Sequence, residues 1–375
     1  MPESNQLLDI QKKLLRLIEE YYELEHQPRK FVPGETIVRY AGRVYDSSEM
    51  KRAVNSILDF GLTYGKESES FEKELASYLG RKHVILVNSG SSANLLAVTS
   101  LLADDYKNKL SPGDEVIHAE HGFEMYPIMT KYAGAVSVCA SEIDFKIDTS
   151  SVIQKINDST KLILIANPNN PTGTYLTKNE IKNLLKQVPK NIVVVIDSAY
   201  AEFADADDYD KSFNLIDEFE NVLITRTFSK AYSLAGLRLG WGYGSKSLID
   251  LIKKVRPPFN LPPGAISAGI AALNDDEHLN MIIKHNSETK NWFIGELKKL
   301  GFIAYNTQAN FTFVNIPKNK YQNANAINEY LLSKGIAVRH LSSYGLPDSL
   351  RITFGKKDEL EKVLELLQQF KNNEK

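Results

Sequence analysis

One lysine organises the chemistry open to this chain. Lys230 lies within residues 221–244, NVLITRTFSKAYSLAGLRLGWGYG. The hydroxyls of Thr227 and Ser229 precede it, and the guanidinium of Arg238 follows. An amine of this kind condenses with an aldehyde, while hydroxyls and a cation hold a phosphate carried by the same molecule. A lone Ser-Lys pair in a polar turn is usually a solvated surface feature. Three chemically matched segments upstream shift the weight away from that reading.

The first is Asn88-Ser89-Gly90-Ser91-Ser92-Ala93-Asn94, which follows an apolar strand over 83–87 and opens a helix over 93–102. A helix start offers unpaired N–H groups and the positive end of its dipole, so Gly90 and Ser91 can cradle a phosphate. Taken alone the signal is weak, because Ser-Gly-Ser also caps ordinary helices. The second is Asn167-Pro168-Asn169-Asn170-Pro171-Thr172-Gly173, a tight turn after a strand over 162–166 that can present the Asn170 amide to a cleft. The third is Asp197-Ser198-Ala199-Tyr200 after the apolar run 192–196. A carboxylate ending a buried strand is costly unless a positive group meets it. A protonated pyridine nitrogen would do so, with Tyr200 in reach of a ring hydroxyl. Phe123, beyond a strand over 115–119, can stack on such a ring or simply fill the core.

These residues need a scaffold, and the chain can supply one. Its 375 residues suggest two domains, and 43% hydrophobic with 25% charged residues is ordinary for a globular protein. Lys+Arg 45 against Asp+Glu 47 leaves no basic field for nucleic acid. A single cysteine, Cys139 in an apolar context, excludes a disulfide framework and is expected to be a small buried residue. His118 and His121 form an H-x-x-H pair without a third ligand at metal spacing, so no metal site is expected. No signal core and no apolar run of about 18 residues are visible, which points to a cytoplasmic protein with no membrane partner.

Residues 7–24 place Leu7, Ile10, Leu14, Leu17, Ile18, Tyr21 and Tyr22 on one stripe of an amphipathic helix. Short apolar strands over 115–119, 136–140, 162–166, 192–196 and 222–224 then alternate with helical pieces. That alternation implies an α/β fold whose mainly parallel sheet carries helices on both faces. Active residues in such sheets gather outside the strand carboxyl ends, where each motif above falls. The Pro-rich break 256–263 leads to a long helical stretch over 264–300 and a smaller α+β unit. That unit has strands over 311–315, 337–339 and 350–354, with helices over 324–334 and 358–370. Arg339 and Arg351, read as lying at strand ends there, suit bidentate binding of carboxylate or phosphate. Arg339 has a competing reading as a surface ion pair. Arg226 beside the lysine turn reads as a brace, and Tyr344 and Tyr40 as candidates to line a substrate mouth.

The motifs NPNNPTG (167–173), DSAY (197–200), TFSKAYSLAGLRLGW (227–241) and YGLPDSLRITFG (344–355) together resemble the fold-type I pyridoxal-phosphate enzymes of aminotransferase class I/II. From about residue 112 on, the chain most resembles the histidinol-phosphate aminotransferase branch. The resemblance implies a seven-stranded-type sheet in a large domain over 62–262, with 1–61 and 263–375 forming a small domain. It implies pyridoxal 5'-phosphate as cofactor, with Lys230 as Schiff-base lysine and proton shuttle. Asp197 would pair with the pyridine N–H, Asn170 and Tyr200 would address the ring oxygen, and Phe123 would stack. Thr227, Ser229, Arg238 and Gly90–Ser91 would hold the phosphate, joined by Tyr64 from the other subunit of a homodimer. Arg351, in Arg-Ile-Thr-Phe-Gly, matches the family's carboxylate-binding segment.

Residues 31–35 (FVPGE), 62–80 and 87–97 look more like sugar aminotransferases and CDP-ketodeoxysugar 3-dehydrases. Those dehydrases resemble enzymes with histidine in place of the lysine and a cysteine-held iron–sulfur cluster. Lys230 and the single cysteine therefore argue against dehydration. The expected activity is amino transfer between glutamate (yielding 2-oxoglutarate) and a small phosphorylated amino alcohol or ketone, by a ping-pong mechanism. Decarboxylation of a phosphorylated hydroxy-amino acid and amino transfer to a sugar nucleotide are the alternatives.

Overall fold

The computed structural model describes residues 4–26, 31–32, 35–38, 46–58, 66–211, 214–317 and 323–373. Tyr64 and Tyr40 lie outside the described residues. Three helices, α1 (Ser4–Glu25), α2 (Ser47–Leu58) and α3 (Lys66–Leu79), lead into the strands.

The seven strands of the large sheet are β1 (Val84–Val87), β2 (Glu115–Ala119), β3 (Val136–Ala140), β6 (Thr160–Ala166), β7 (Val193–Asp197), β8 (Val222–Thr227) and β9 (Gly240–Gly244). A two-stranded hairpin, β4 (Glu142–Ile143) with β5 (Lys146–Ile147), hangs beyond β3. The order across the large sheet is β1-β9-β8-β7-β6-β2-β3. Every neighbouring pair from β8 to β3 is parallel, and β9 runs antiparallel to both of its neighbours. The expected mainly parallel seven-stranded sheet is therefore present.

The continuous apolar runs follow from burial on both faces. Along β6 and β7, Ile163, Ile165, Val194 and Ile196 enter one core cluster, while Leu162, Leu164, Val193 and Val195 enter another. Each face takes alternate residues, so no polar alternation survives in the sequence. The second face is covered in part by α4 (Gly90–Ser100) and α5 (Met125–Tyr132). A reciprocal capping box starts the helix Lys178–Gln187. The Thr177 hydroxyl accepts from the Glu180 N–H at 3.2 Å, and the Glu180 carboxylate accepts from the Thr177 N–H at 2.7 Å.

Cys139 is exposed, against the expectation of burial. The reason is that β3 is an edge strand, paired only with β2, and Val136, Ser137 and Cys139 stand open along it. The long helical stretch expected over 264–300 consists of two helices, Pro263–Leu273 and Asp276–Lys299, the second capped by the Asp275 side chain. The smaller sheet has the order β10-β11-β13-β12, with β10 (Ile303–Ala304), β11 (Phe311–Asn315), β12 (Arg339–His340) and β13 (Ser349–Thr353) all antiparallel. Its own core joins Phe293, Leu297, Val314, Ile352 and Leu366. A bridge between Val38 and Ile336 ties this part of the N-terminal segment to the smaller unit.

Most of the apolar stripe expected on α1 does not face the body of the chain; of its members only Ile18 and Tyr22 are half-buried. Leu7, Ile10, Leu14, Leu17 and Tyr21 are exposed, whereas Gln11, Leu15, Ile18 and Tyr22 are half-buried on the neighbouring face. Gln11 hydrogen-bonds Asn55 of α2. Among the described residues no helix is long and apolar enough to cross a membrane.

Candidate active site

Five of the seven large-sheet strands deliver residues to one cleft. Its inner lobe, about 550 Å³, is lined by Gly90 and Ser91 after β1, Phe123 and Glu124 after β2, Asn170 after β6, Asp197 and Tyr200 at the end of β7, and Thr227, Ser229, Lys230 and Arg238 after β8. Arg339 and Arg351 close it from the smaller sheet. A second lobe of about 500 Å³ shares Lys230, Ser229, Tyr200 and Arg351 and runs on past Val38, Ile336 and Phe354.

Lys230 stands in a turn between β8 and β9. Its Nζ lies 5.0 Å from the centroid of the Tyr200 ring, and Tyr200 in turn packs edge-on against Phe311. Thr227 accepts the Ser229 N–H at 3.0 Å, which fixes the start of the turn. Ser233 and Arg238 take left-handed backbones (φ 59° and 58°) and bracket the short turn Ala235–Leu237. Non-glycine residues pay for that conformation only where their surroundings dictate it. Arg238 is exposed and donates to the Ala235 carbonyl at 2.7 Å.

The cup expected to hold a phosphate is built by close backbone approach. Ser89 caps α4 by accepting the Ser92 N–H, so the first-turn N–H groups of Gly90 and Ser91 have no intrahelical partner. A Cβ on Gly240 of β9 would stand 2.3 Å from the Ser89 carbonyl carbon, and one on Gly90 would stand 3.1 Å from Thr227 Cβ. Glycine at 240 is required for the helix start to sit directly on β9, and glycine at 90 lets it pack tightly on Thr227.

Asp197 is buried, and its partners are all neutral. Its Oδ2 accepts from Asn94 Nδ2 at 2.6 Å and from the Tyr126 hydroxyl at 3.1 Å, and its Oδ1 accepts from the Ala199 N–H at 3.1 Å. Thr225 donates to Asn94 Oδ1 at 2.7 Å, which sets the Asn94 amide with its NH₂ toward the carboxylate. Burial pushes the Asp197 carboxyl above the ordinary carboxylate range. The three hydrogen bonds and the charge of Lys230 pull the other way without reversing it. A buried carboxylate with donors but no adjacent cation is a site prepared for one. The sequence reading missed Asn94 and Tyr126; the signals were an amide in an otherwise small and apolar helix, and a tyrosine one turn after Phe123. Phe123 lies edge-on to Tyr126 with ring centroids 5.7 Å apart.

The chain has known relatives. Residues 49–367 match the family described as aminotransferase class I and II. The histidinol-phosphate aminotransferase of Paramagnetospirillum magneticum is 38% identical over 303 residues, covering 81% of this chain and 82% of that one. That of Roseobacter denitrificans is 41% identical over 260 residues, 69% and 71% of the two chains. The chain belongs to the class I and II aminotransferases. Among solved structures, histidinol-phosphate aminotransferase from Sinorhizobium meliloti, in complex with pyridoxal-5'-phosphate, superposes with a TM-score of 0.79 at 23% identity. That match covers 95% of each chain. L-threonine-O-3-phosphate decarboxylase from Porphyromonas gingivalis shares the fold at TM-score 0.74 and 18% identity, over 90% of this chain and 99% of that one.

In this aminotransferase the residues present fit pyridoxal phosphate. Asp197 offers a buried anion, Lys230 an amine, and Gly90 a helix start narrowed by Thr227. Arg351 is less free than expected. Its Nη1 hydrogen-bonds Asn170 Oδ1, its guanidinium lies 4.9 Å from the Phe311 ring centroid, and its buried Nε has no hydrogen-bond partner. It sits in mid-strand of β13, not at a strand end. Arg339 pairs with Glu124 at 3.4 Å, so the surface-pair reading describes its resting state. Arg226 is a buried brace, bonded to Glu202 at 2.6 Å and to the Lys211 carbonyl at 2.7 Å. His118 is a satisfied core residue bonded to the Ala119 carbonyl and to Ser137, and burial lowers its pKa. His121 instead pairs with Glu142 at 2.8 Å.

Proposed function

We propose that this aminotransferase moves an amino group between glutamate and a small phosphorylated amino alcohol or ketone, of the histidinol-phosphate type. The reading rests on one observation above the others. Two guanidinium side chains, Arg351 and Arg339, line the same cleft as a lysine, opposite a buried carboxylate. Two anion-binding groups suit a dicarboxylate donor and a phosphate-bearing partner in one pocket. The names of the curated relatives, histidinol-phosphate aminotransferases at 38% and 41% identity, point the same way.

Bound pyridoxal phosphate supplies the aldehyde and the electron-accepting ring. We assign the chain's own residues as follows. Asp197 keeps the ring nitrogen protonated, Asn170 and Tyr200 address the ring oxygen, and Phe123 covers a ring face. Gly90, Ser91, Thr227, Ser229 and Arg238 hold the phosphate. Lys230 takes a proton from the substrate Cα and returns one on the far side of the transfer. Arg351 takes the α-carboxylate, and Arg339 the second anion. Donor product leaves before the acceptor enters, as ping-pong exchange requires. We assign the molecule as a cytoplasmic homodimer with Tyr64 reaching the partner's phosphate site. The open apolar face of α1 supports an association.

The test is single-turnover absorbance of the loaded enzyme. Glutamate is expected to convert the aldehyde form of the cofactor to its amine form, and Lys230→Ala is expected to abolish turnover while leaving the fold. Carbon dioxide release with retention of the aldehyde form would assign a decarboxylase instead. Full activity in Lys230→Ala would overturn the scheme.

A further inference from the structure

Arg339 and Arg351 are direct cross-strand partners in the antiparallel pair β12–β13. Directly opposed residues share a sheet face with Cβ atoms about 5 Å apart, and like charges in such positions repel. Each guanidinium therefore needs a partner, and the two partners differ in charge. Arg351 meets the neutral amide oxygen of Asn170. Arg339 Nη2 meets the carboxylate of Glu124 at 3.4 and 3.5 Å, and the Ser343 hydroxyl donates to the same carboxylate at 3.1 Å. Glu124 comes from the opposite wall, next to Phe123, so this contact spans the cleft mouth. Both side chains are partly exposed, at 47% and 37%, and the contact is longer than a direct charged hydrogen bond of about 2.8 Å.

We propose that Glu124 is a specificity-determining residue, the resident counter-ion of Arg339 that a substrate's second anion must displace. The inference rests on the assignment of Arg351 to the α-carboxylate. Arg351 is then the charge-uncompensated anchor, and Arg339 a conditional one. A dianionic donor gains less at the second position than a bare arginine would give. Its dicarboxylate product accordingly leaves the mouth readily, with Glu124 returning to Arg339 as it goes.

Glutamate and its neutral isostere glutamine separate this effect from pocket shape. The measurement is kcat/KM for each donor in the first half-reaction of the holoenzyme, followed by cofactor absorbance. Glu124→Gln is expected to raise the glutamate-to-glutamine ratio about 2- to 5-fold, the size of a partly exposed ion pair, mainly through the KM for glutamate. Arg339→Gln is expected to lower the ratio. Ser343→Ala removes the hydroxyl that donates to Glu124 at 3.1 Å and accepts from Arg339 Nη2 at the longer 3.5 Å. It is expected to move the ratio upward by less, and it carries the test if Glu124→Gln does not load the cofactor. A ratio that stays flat or falls in the Glu124 and Ser343 variants overturns the inference alone. A wild-type enzyme that reacts with neither donor overturns the functional reading and this inference with it.

Discussion

Asp197 shows how far one residue's chemistry can be read from its position. A carboxylate after four apolar strand residues had to be buried, and it is. What the sequence did not disclose is its shell. Asn94 and Tyr126 come from helices far away in the chain, and only the sheet order brings them to one carboxylate. The raised pKa makes a signed prediction for the cofactor-free protein. The folded chain holds a proton that the unfolded chain releases near the ordinary aspartate value, about 3.9. The contribution of Asp197 to stability is thus fully present below that value and is lost as pH rises through the raised folded pKa. The stability of wild type minus that of Asp197→Asn should therefore fall as pH rises across this window, measured by urea unfolding of both apo-proteins. A flat difference would mean that the three hydrogen bonds cancel burial, and a rising one that they outweigh it. Adding pyridoxal phosphate at neutral pH should stabilise wild type more than Asp197→Asn, because only the carboxylate can hold the ring's N–H proton.

Elements place such residues, and their legibility varied for physical reasons. The central parallel strands were legible because burial on both faces demands continuous apolar runs, and the one over 115–119 has the expected bounds; the edge strand over 136–140 has them too, although it is largely open. The face of α1 was not, since periodicity reveals an apolar stripe but not what covers it. The loop after β2 was opaque for a different reason. It has no periodicity, and its shape is set by one residue of the β4–β5 hairpin. Glu142 accepts the His121 backbone N–H at 2.9 Å and holds the His121 ring at 2.8 Å, while Asn169 Nδ2 donates to the His121 carbonyl at 3.1 Å. Phe123 and Glu124 follow immediately, so this clamp positions two cleft residues. The Glu142 hydrogen bond raises the His121 pKa against an opposing effect of burial. A raised histidine stabilises the fold below its unfolded value, about 6.5, and that gain disappears as pH rises through the folded pKa. Glu142→Gln keeps an acceptor for the backbone N–H and removes the charge. It is expected to cost about 1–2 kcal/mol at pH 6 and much less at pH 9, by urea midpoints. Cofactor affinity should weaken several-fold in the same variant, by titration, as the Phe123 loop loosens. An equal cost at both pH values would show that the imidazolium plays no part.

At the scale of the whole molecule, the proposed homodimer would give two exposed surfaces a role. Arg238 is exposed at the proposed phosphate cup, and among the described residues nothing covers the exposed α1 stripe of Leu7, Ile10, Leu14, Leu17 and Tyr21. A two-fold dimer would bury equivalent surfaces on both copies and could bring a group from each to the other's cup. The proposal that Tyr64 is that group has a test independent of any distance. Lys230→Ala removes the amine from its own site, and Tyr64→Ala removes the shared phenol. Each homodimer is expected to be inactive or nearly so. In a hybrid of the two, one site has Lys230 from the Tyr64→Ala subunit and Tyr64 from the Lys230→Ala subunit, so it is complete. The other site lacks both groups. Co-expression with two affinity tags isolates that hybrid, and its activity should approach one wild-type site per dimer. If Tyr64 serves the site of its own chain, every site in the hybrid lacks one group, and no activity returns.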